Sequence, residues 1–150
     1  MEGCELFGCG STGVRASGCY GITLRDTLIR DCSAGGASFA VCQSVMLDGV
    51  TLRNTGAFQP LSLQECSYIS AQDCSIEENL SENLLLASCS DHLFFNDCSF
   101  RNNRFSCLLS LWGDSAPEFW RCEVGEEQYK ALYSDEENRL RARLDGEIWR

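Results

Sequence analysis

Lysine is nearly missing from this chain of 150 residues: eleven of its twelve basic residues are Arg, and Lys130 stands alone. Against twenty-two acidic residues this leaves a net charge of −10. That balance speaks against a protein that tracks phosphate backbones and against a polybasic membrane anchor. No apolar run approaches the roughly 20 residues that a spanning helix needs. Met1-Glu2-Gly3-Cys4 also lacks the basic segment and apolar stretch of a secretory leader. Nucleic acid and membrane are therefore not expected partners. Cys-x-x-Cys pairs are absent and His92 is the only histidine, which removes the usual zinc fingers and ribbons. No cofactor is expected.

What the chain does have is cysteine at fixed intervals. Cys19, Cys42, Cys66 and Cys89 are separated by 23, 24 and 23 residues, and Cys74, Cys98 and Cys122 by 24 and 24. Two series with one period mark a repeat protein. Within each repeat three short segments alternate in hydropathy. The first reads Val14-Arg15-Ala16, Ala37-Ser38-Phe39, Leu61-Ser62-Leu63, Leu84-Leu85-Leu86 and Leu108-Leu109-Ser110. The second carries Ile22 and Leu24, Val45 and Leu47, Ile69 and Ala71, Leu93 and Phe95, Pro117 and Phe119. The third runs from Cys4-Glu5-Leu6 through Thr27, Val50, Cys74 and Cys98 to Cys122-Glu123-Val124. Period-2 alternation with no helical stripe predicts strands throughout. The expected fold is all-β, a solenoid of about six coils of 23–24 residues, with three short strands per coil.

Stacked coils put equivalent residues about 4.8 Å apart, so inward side chains form ladders. Cys19, Cys42, Cys66 and Cys89, continued by Gly113, are read as one such ladder. A reduced thiol suits it as a small hydrophobe. Neighbouring rungs hold their Cβ atoms in parallel, which is poor disulfide geometry. The thiols are therefore expected to be reduced and the compartment cytoplasmic. A turn column follows each third strand: Cys9, Cys32, Thr55, Asn79, Asn103 and Glu127. Residues 1–134 are assigned to the repeats. Residues 135–150, where Leu140, Ala142 and Leu144 alternate among charges, read as a degenerate last coil or a capping segment. The opening inside a third-strand pattern suggests a longer solenoid or an end covered by a partner.

The stretch from Leu84 to Asn103 resembles a coil of the right-handed parallel β-helix superfamily, the pectate-lyase-like solenoids with carbohydrate-binding and sugar-hydrolase repeats. Asn79 and Asn103 resemble its stacked-asparagine turn, and the resemblance covers roughly residues 4–134. Phe95-x-x-Cys98-x-Phe100-x-x-Asn103 also fits a leucine-rich repeat. The apolar residue expected two positions beyond the Asn is missing at Ser81, Ala57 and Ala34, and only Phe105 supplies it. Among β-helix enzymes the resemblance implies clustered carboxylates, often with calcium, and an Arg or Lys base. If this chain were an enzyme, it would be of the polysaccharide lyase or glycoside hydrolase type.

Several residues are candidates for chemistry. Asp73 and Asp97 lie one period apart, with Asp26 and Asp48 near equivalent places, and are weak metal candidates. Their plainer role is as turn residues. Arg30, Arg53 and Arg101 form an outward row, interrupted by Glu77, that suits a carboxylated sugar or an acidic ligand. His92, where one coil gains a residue, has only Asp91 as an obvious partner for base chemistry. No catalytic residue is assigned. If Leu84, Leu86 and Leu108 point inward, then Leu85, Leu109 and Leu111 point out, and with Trp112 and Tyr133 they form an apolar interaction patch. Coverage by Leu140, Leu144, Ile148 and Trp149 is the other reading. Two functions stay open. One is a non-catalytic scaffold presenting a rigid face to a protein partner or to another copy of itself. The other is a module that binds or cleaves an acidic polysaccharide.

Overall fold

The computed structural model describes residues 1–56 and 58–124, with residues 107, 108, 143 and 144 described by their backbone alone. The first coil runs through β1 (Glu5–Phe7), β2 (Thr12–Ser17) and β3 (Tyr20–Arg25). Then come β4 (Leu28–Arg30), β5 (Gly35–Ala40) and β6 (Gln43–Asp48), and after them β7 (Thr51–Arg53), β8 (Leu61–Gln64) and β9 (Ser67–Gln72). The fourth coil has β10 (Ser75–Glu77), β11 (Leu80–Ser88) and β12 (Asp91–Asn96). The fifth has β13 (Ser99–Arg101), β14 (Arg104–Trp112) and β15 (Glu118–Trp120), followed by β16 (Glu123–Val124) and β17 (Arg143–Leu144). Every strand pairs in parallel with its equivalent one coil away, giving three sheets. The first is β1-β4-β7-β10-β13-β16, the second β2-β5-β8-β11-β14, and the third β3-β6-β9-β12-β15-β17. The chain is a parallel β-solenoid of about five turns with three strands per coil. The six coils expected from sequence differ from this only in how the incomplete last turn is counted. Tyr133 and residues 135–150, apart from the β17 backbone, lie outside the described residues.

The corners explain why the sequence repeats as it does. Each begins with a residue in the left-handed region, which turns the chain sharply. At the first corner these are Gly8, Asp31, Asn54, Glu78 and Asn102; at the second Gly18, Val41, Glu65, Cys89 and Gly113; at the third Gly3, Asp26, Gly49, Asp73, Asp97 and Arg121. Gly, Asn and Asp dominate because they tolerate this conformation best. At many corners the next residue is an inward Cys, Ser or Thr. Its S–H or O–H then donates back to the carbonyl two residues earlier: Cys42 to Ala40 at 3.3 Å, Cys66 to Gln64 at 3.3 Å, Cys98 to Asn96 at 3.3 Å, Thr27 to Arg25 at 2.8 Å. Cysteine at a corner is thus both an apolar filler and a weak donor. The described cysteines carry no disulfide, and six of them are buried. Burial pushes the Cys66 thiol above its usual range.

One ladder differs from its expected membership. Cys89 is the left-handed corner residue and is exposed. The rung after Cys66 is Ser90, whose Oγ donates to Ser88 O at 3.0 Å and accepts from the Cys66 N–H at 3.0 Å. Ser115 continues the column by accepting from the Ser90 N–H at 2.9 Å. His92 therefore marks no inserted residue. The register follows Ser90: Leu61 pairs with Leu85 and Leu85 with Leu109, while Leu63, Ala87 and Leu111 form the parallel inward row. Leu85, Leu109 and Leu111 are 0%, 1% and 7% exposed. The expected outward leucine patch is core. A slip of one residue exchanges the two faces of a strand, and a period of either 23 or 24 residues leaves room for that slip.

The core is otherwise a stack of self-similar layers. Phe95 and Phe119 stack with ring centroids 4.9 Å apart, and Phe100 meets Phe119 edge-on at 6.0 Å. The first corner holds an amide ladder. Asn79 Oδ1 accepts from both the N–H and the hydroxyl of Thr55 at 2.9 Å, and Asn103 Oδ1 accepts from the Asn79 N–H at 3.0 Å. The amide groups of Asn79 and Asn103 donate to Leu52 O and Ile76 O at 3.1 and 2.7 Å. Buried backbone groups that the short strands leave unpaired find their partners here.

Candidate functional site

Three outward features bear on function: the arginine row on the first sheet, an aromatic strip on the third, and a cleft on the second. The row exists as read from sequence. Arg30 pairs in register with Arg53, and Glu77 lies between Arg53 and Arg101. Its charges are engaged, however. Arg30 Nε donates to Glu5 Oε1 at 2.7 Å, its Nη1 meets Asp31, and its guanidinium lies 4.9 Å above the Phe7 ring. Arg53 lies 3.4 Å from Glu78, and Arg101 pairs with Glu123. The carboxylate partners are thus Glu78 and Glu123, and not Glu77, which interrupts the row. Asn54 and then Arg30 hold the Asp31 carboxyl below its usual range.

Asp73 and Asp97 are corner residues with φ of 52° each. Gln72 Nε2 bridges them at 3.1 and 2.9 Å, and Arg121 donates to both oxygens of Asp97 at 2.7 and 2.6 Å. Arg121, followed by Gln72, draws the Asp97 pKa down from 3.8 to about 2. Among the described residues no cluster of three or more His, Cys, Asp or Glu side chains is placed to hold a metal. The lowered pKa carries a pH signature. A carboxylate with a depressed folded pKa contributes stability above its unfolded pKa and loses it as pH falls through the folded one. Wild type should therefore be more stable than Arg121→Gln near neutral pH. The difference should shrink below pH 3.8 and vanish only below about pH 2. Urea midpoints of both proteins across that window give the comparison.

His92 is exposed. Its Nδ1 sits 3.0 Å from Asp91 Oδ1 and its ring stacks on Tyr68 with centroids 4.5 Å apart. A left-handed residue recurs at the second position of the third-sheet strands, at Gly21, Ser44, Tyr68 and His92. That kink throws Tyr68 and His92 outward side by side. Beside them, Met46, Ser70 and Phe94 form one cross-strand row and Asn96 pairs with Trp120. Met46, Tyr68 and Trp120 are exposed and Phe94 is half-buried. Sequence reading missed this strip because its members sit in three different rows, and Ser70 separates Met46 from Phe94 in the one row that repeats an apolar residue. Its signal was the outward alternation of Phe94 between Leu93 and Phe95.

The second sheet carries an open cleft of about 250 Å³. Its floor holds the row Arg15, Ser38, Ser62 and, beside it, Gln64. One wall is formed by Ser11 and Thr12, and the other by Phe58 and Gln59, with Phe58 62% exposed. Two glycines seat the second wall. A Cβ on Gly35 would meet Gln59 O at 2.7 Å, and one on Gly36 would meet Pro60 O at 2.6 Å. The Phe58 N–H is bound to Ala34 O at 2.8 Å. Trp112, the one described member of the expected apolar patch that does face outward, is 63% exposed at the far edge of the same sheet and pairs with Ser88.

A solenoid of stacked three-strand coils with ladders of Cys and Asn at its corners defines the class of parallel β-helix proteins. A family model described as "Right handed beta helix region" matches residues 1–124. The chain belongs to the right-handed β-helix family. No curated protein and no solved structure matches it.

Proposed function

We propose that this chain is a non-catalytic recognition scaffold that docks a protein partner on the outer face of its third sheet. One observation supports the reading above others: the strip of Met46, Tyr68, His92, Phe94 and Trp120 on a rigid, fully paired sheet. Aromatic residues and Met are enriched at the centres of protein interfaces, and binding energy concentrates on Trp and Tyr anchors. The hydrogen-bonded ladder on both sides of each strand keeps the strip pre-organised, so little ordering cost is added on docking. Asp73 and Asp97 sit at turns, and Arg30, Arg53 and Arg101 are held in ion pairs. The leucines once expected to form the interface are buried, which moves the proposed contact to a different sheet.

The test places a photo-crosslinking phenylalanine analogue at position 94, and as a control at Ser75 on the charged first sheet, in cells making the full chain. A discrete adduct from position 94, lost on adding Tyr68→Ala and Trp120→Ala, is the expected result. Equal adducts from both positions, or adducts that persist in the double variant, overturn the proposal. An adduct of twice the chain mass in purified protein identifies the partner as a second copy.

A further inference from the structure

The cleft on the second sheet brings an arginine without a carboxylate partner together with uncommitted polar side chains. Five described arginines have carboxylate partners: Arg25 with Asp48, Arg30 with Glu5, Arg53 with Glu78, Arg101 with Glu123 and Arg121 with Asp97. Arg15 and Arg104 have none within 4 Å among the described residues, and of these two Arg15 borders a cleft that no carboxylate lines. The polar side chains around it are equally uncommitted. Those of Ser38, Ser62, Gln59 and Gln64 have no hydrogen-bond partner among the described residues, although Ser62 is buried. In a chain of net charge −10, this is a local positive site with free donors and an exposed phenyl ring for a wall.

We infer that the cleft binds a small ligand carrying one oxyanion, a carboxylate or a phosphate monoester, beside a flat apolar or ring face. The guanidinium of Arg15 takes the anion in a charge-assisted pair. The hydroxyls of Ser38 and Ser62 and the amides of the two glutamines supply further donors. The ring of Phe58 covers the ligand's face by stacking. The volume of about 250 Å³ lies just under the range of drug-sized pockets, which suits a group of single-residue size. No bond is made or broken. The loop holding Phe58 is tied to Ala34 and rests on Gly35 and Gly36, so the wall is in place before the ligand arrives. The site is on a different sheet from the aromatic strip and does not depend on it.

The experiment titrates the full chain with phenylacetate, phenyl phosphate and neutral phenylacetamide, read by amide chemical shifts. The expected result is saturable shifts centred on Ser38, Ser62 and Gln64 for the two anions. The amide should bind at least about tenfold more weakly, the loss of one charge-assisted pair. Arg15→Gln should erase the preference for the anions, and Phe58→Ala should weaken all three ligands. Both side chains are exposed, so unchanged backbone spectra of the variants serve as the folding control. Tighter binding of phenylacetate or of phenyl phosphate says which oxyanion the site prefers. Equal binding of the neutral amide, an unaltered preference in Arg15→Gln, or no saturable shift at millimolar ligand overturns the inference.

Discussion

Leu85→Asp should destabilise the solenoid by about 4–5 kcal/mol, while Leu86→Asp, one residue away, should cost about 1 kcal/mol or less. Leu85 is fully buried between Leu61 and Leu109. A carboxylate there would lose its water with no partner in reach, and the layers above and below would lose a packing surface. Leu86 pairs with Ser62 and Ser110 in an outward row and is half-buried. Urea unfolding of both variants decides between the two registers. The reverse order of the losses would mean that the strand is turned over and that Leu85 faces solvent.

Asn79→Leu should cost about 3–4 kcal/mol despite its similar size and greater hydrophobicity. The amide of Asn79 serves the Thr55 N–H and hydroxyl, Leu52 O and Asn103 Oδ1 at once. Leucine would strand those buried groups, at about 1–3 kcal/mol for each one left without water or protein partner. Part of the loss would be offset by the extra apolar burial. Asn103→Leu should follow the same pattern, because Asn103 serves the Asn79 N–H and Ile76 O. Denaturation midpoints give the size of the effect. Hydrogen exchange at Thr55 locates it, since that amide should lose protection before its neighbours. A loss under about 1 kcal/mol would mean that the ladder adds no net stability over an apolar corner.

Much of the fold was legible in the residues. Cys74, Cys98 and Cys122 stand one rung apart as their even spacing required, and Phe95 pairs with Phe119 as the second-strand alternation required. Arg30 and Arg53 fell into one row for the same reason. The misreading came from Cys89. It shares its residue type with the Cys42 and Cys66 column and lies within the allowed period, yet Ser90 makes the corner hydrogen bonds. Identity of side chain was a weaker guide than position in the turn. The pairing of Arg53 with Glu78 was also out of reach, because a corner residue in the left-handed region swings its side chain across a rung.

The sequence by itself determined the period and the alternating strands of the described residues, because each follows from local alternation and turn chemistry repeated many times. Tertiary structure alone decided which face of β11 and β14 is buried, which arginines are neutralised, and that Phe58 and Gln59 close one side of a cleft. Facing is a question of parity, which one residue reverses. Neutralisation and the cleft depend on groups brought within a few ångströms from neighbouring coils, a distance that spacing along the chain does not measure.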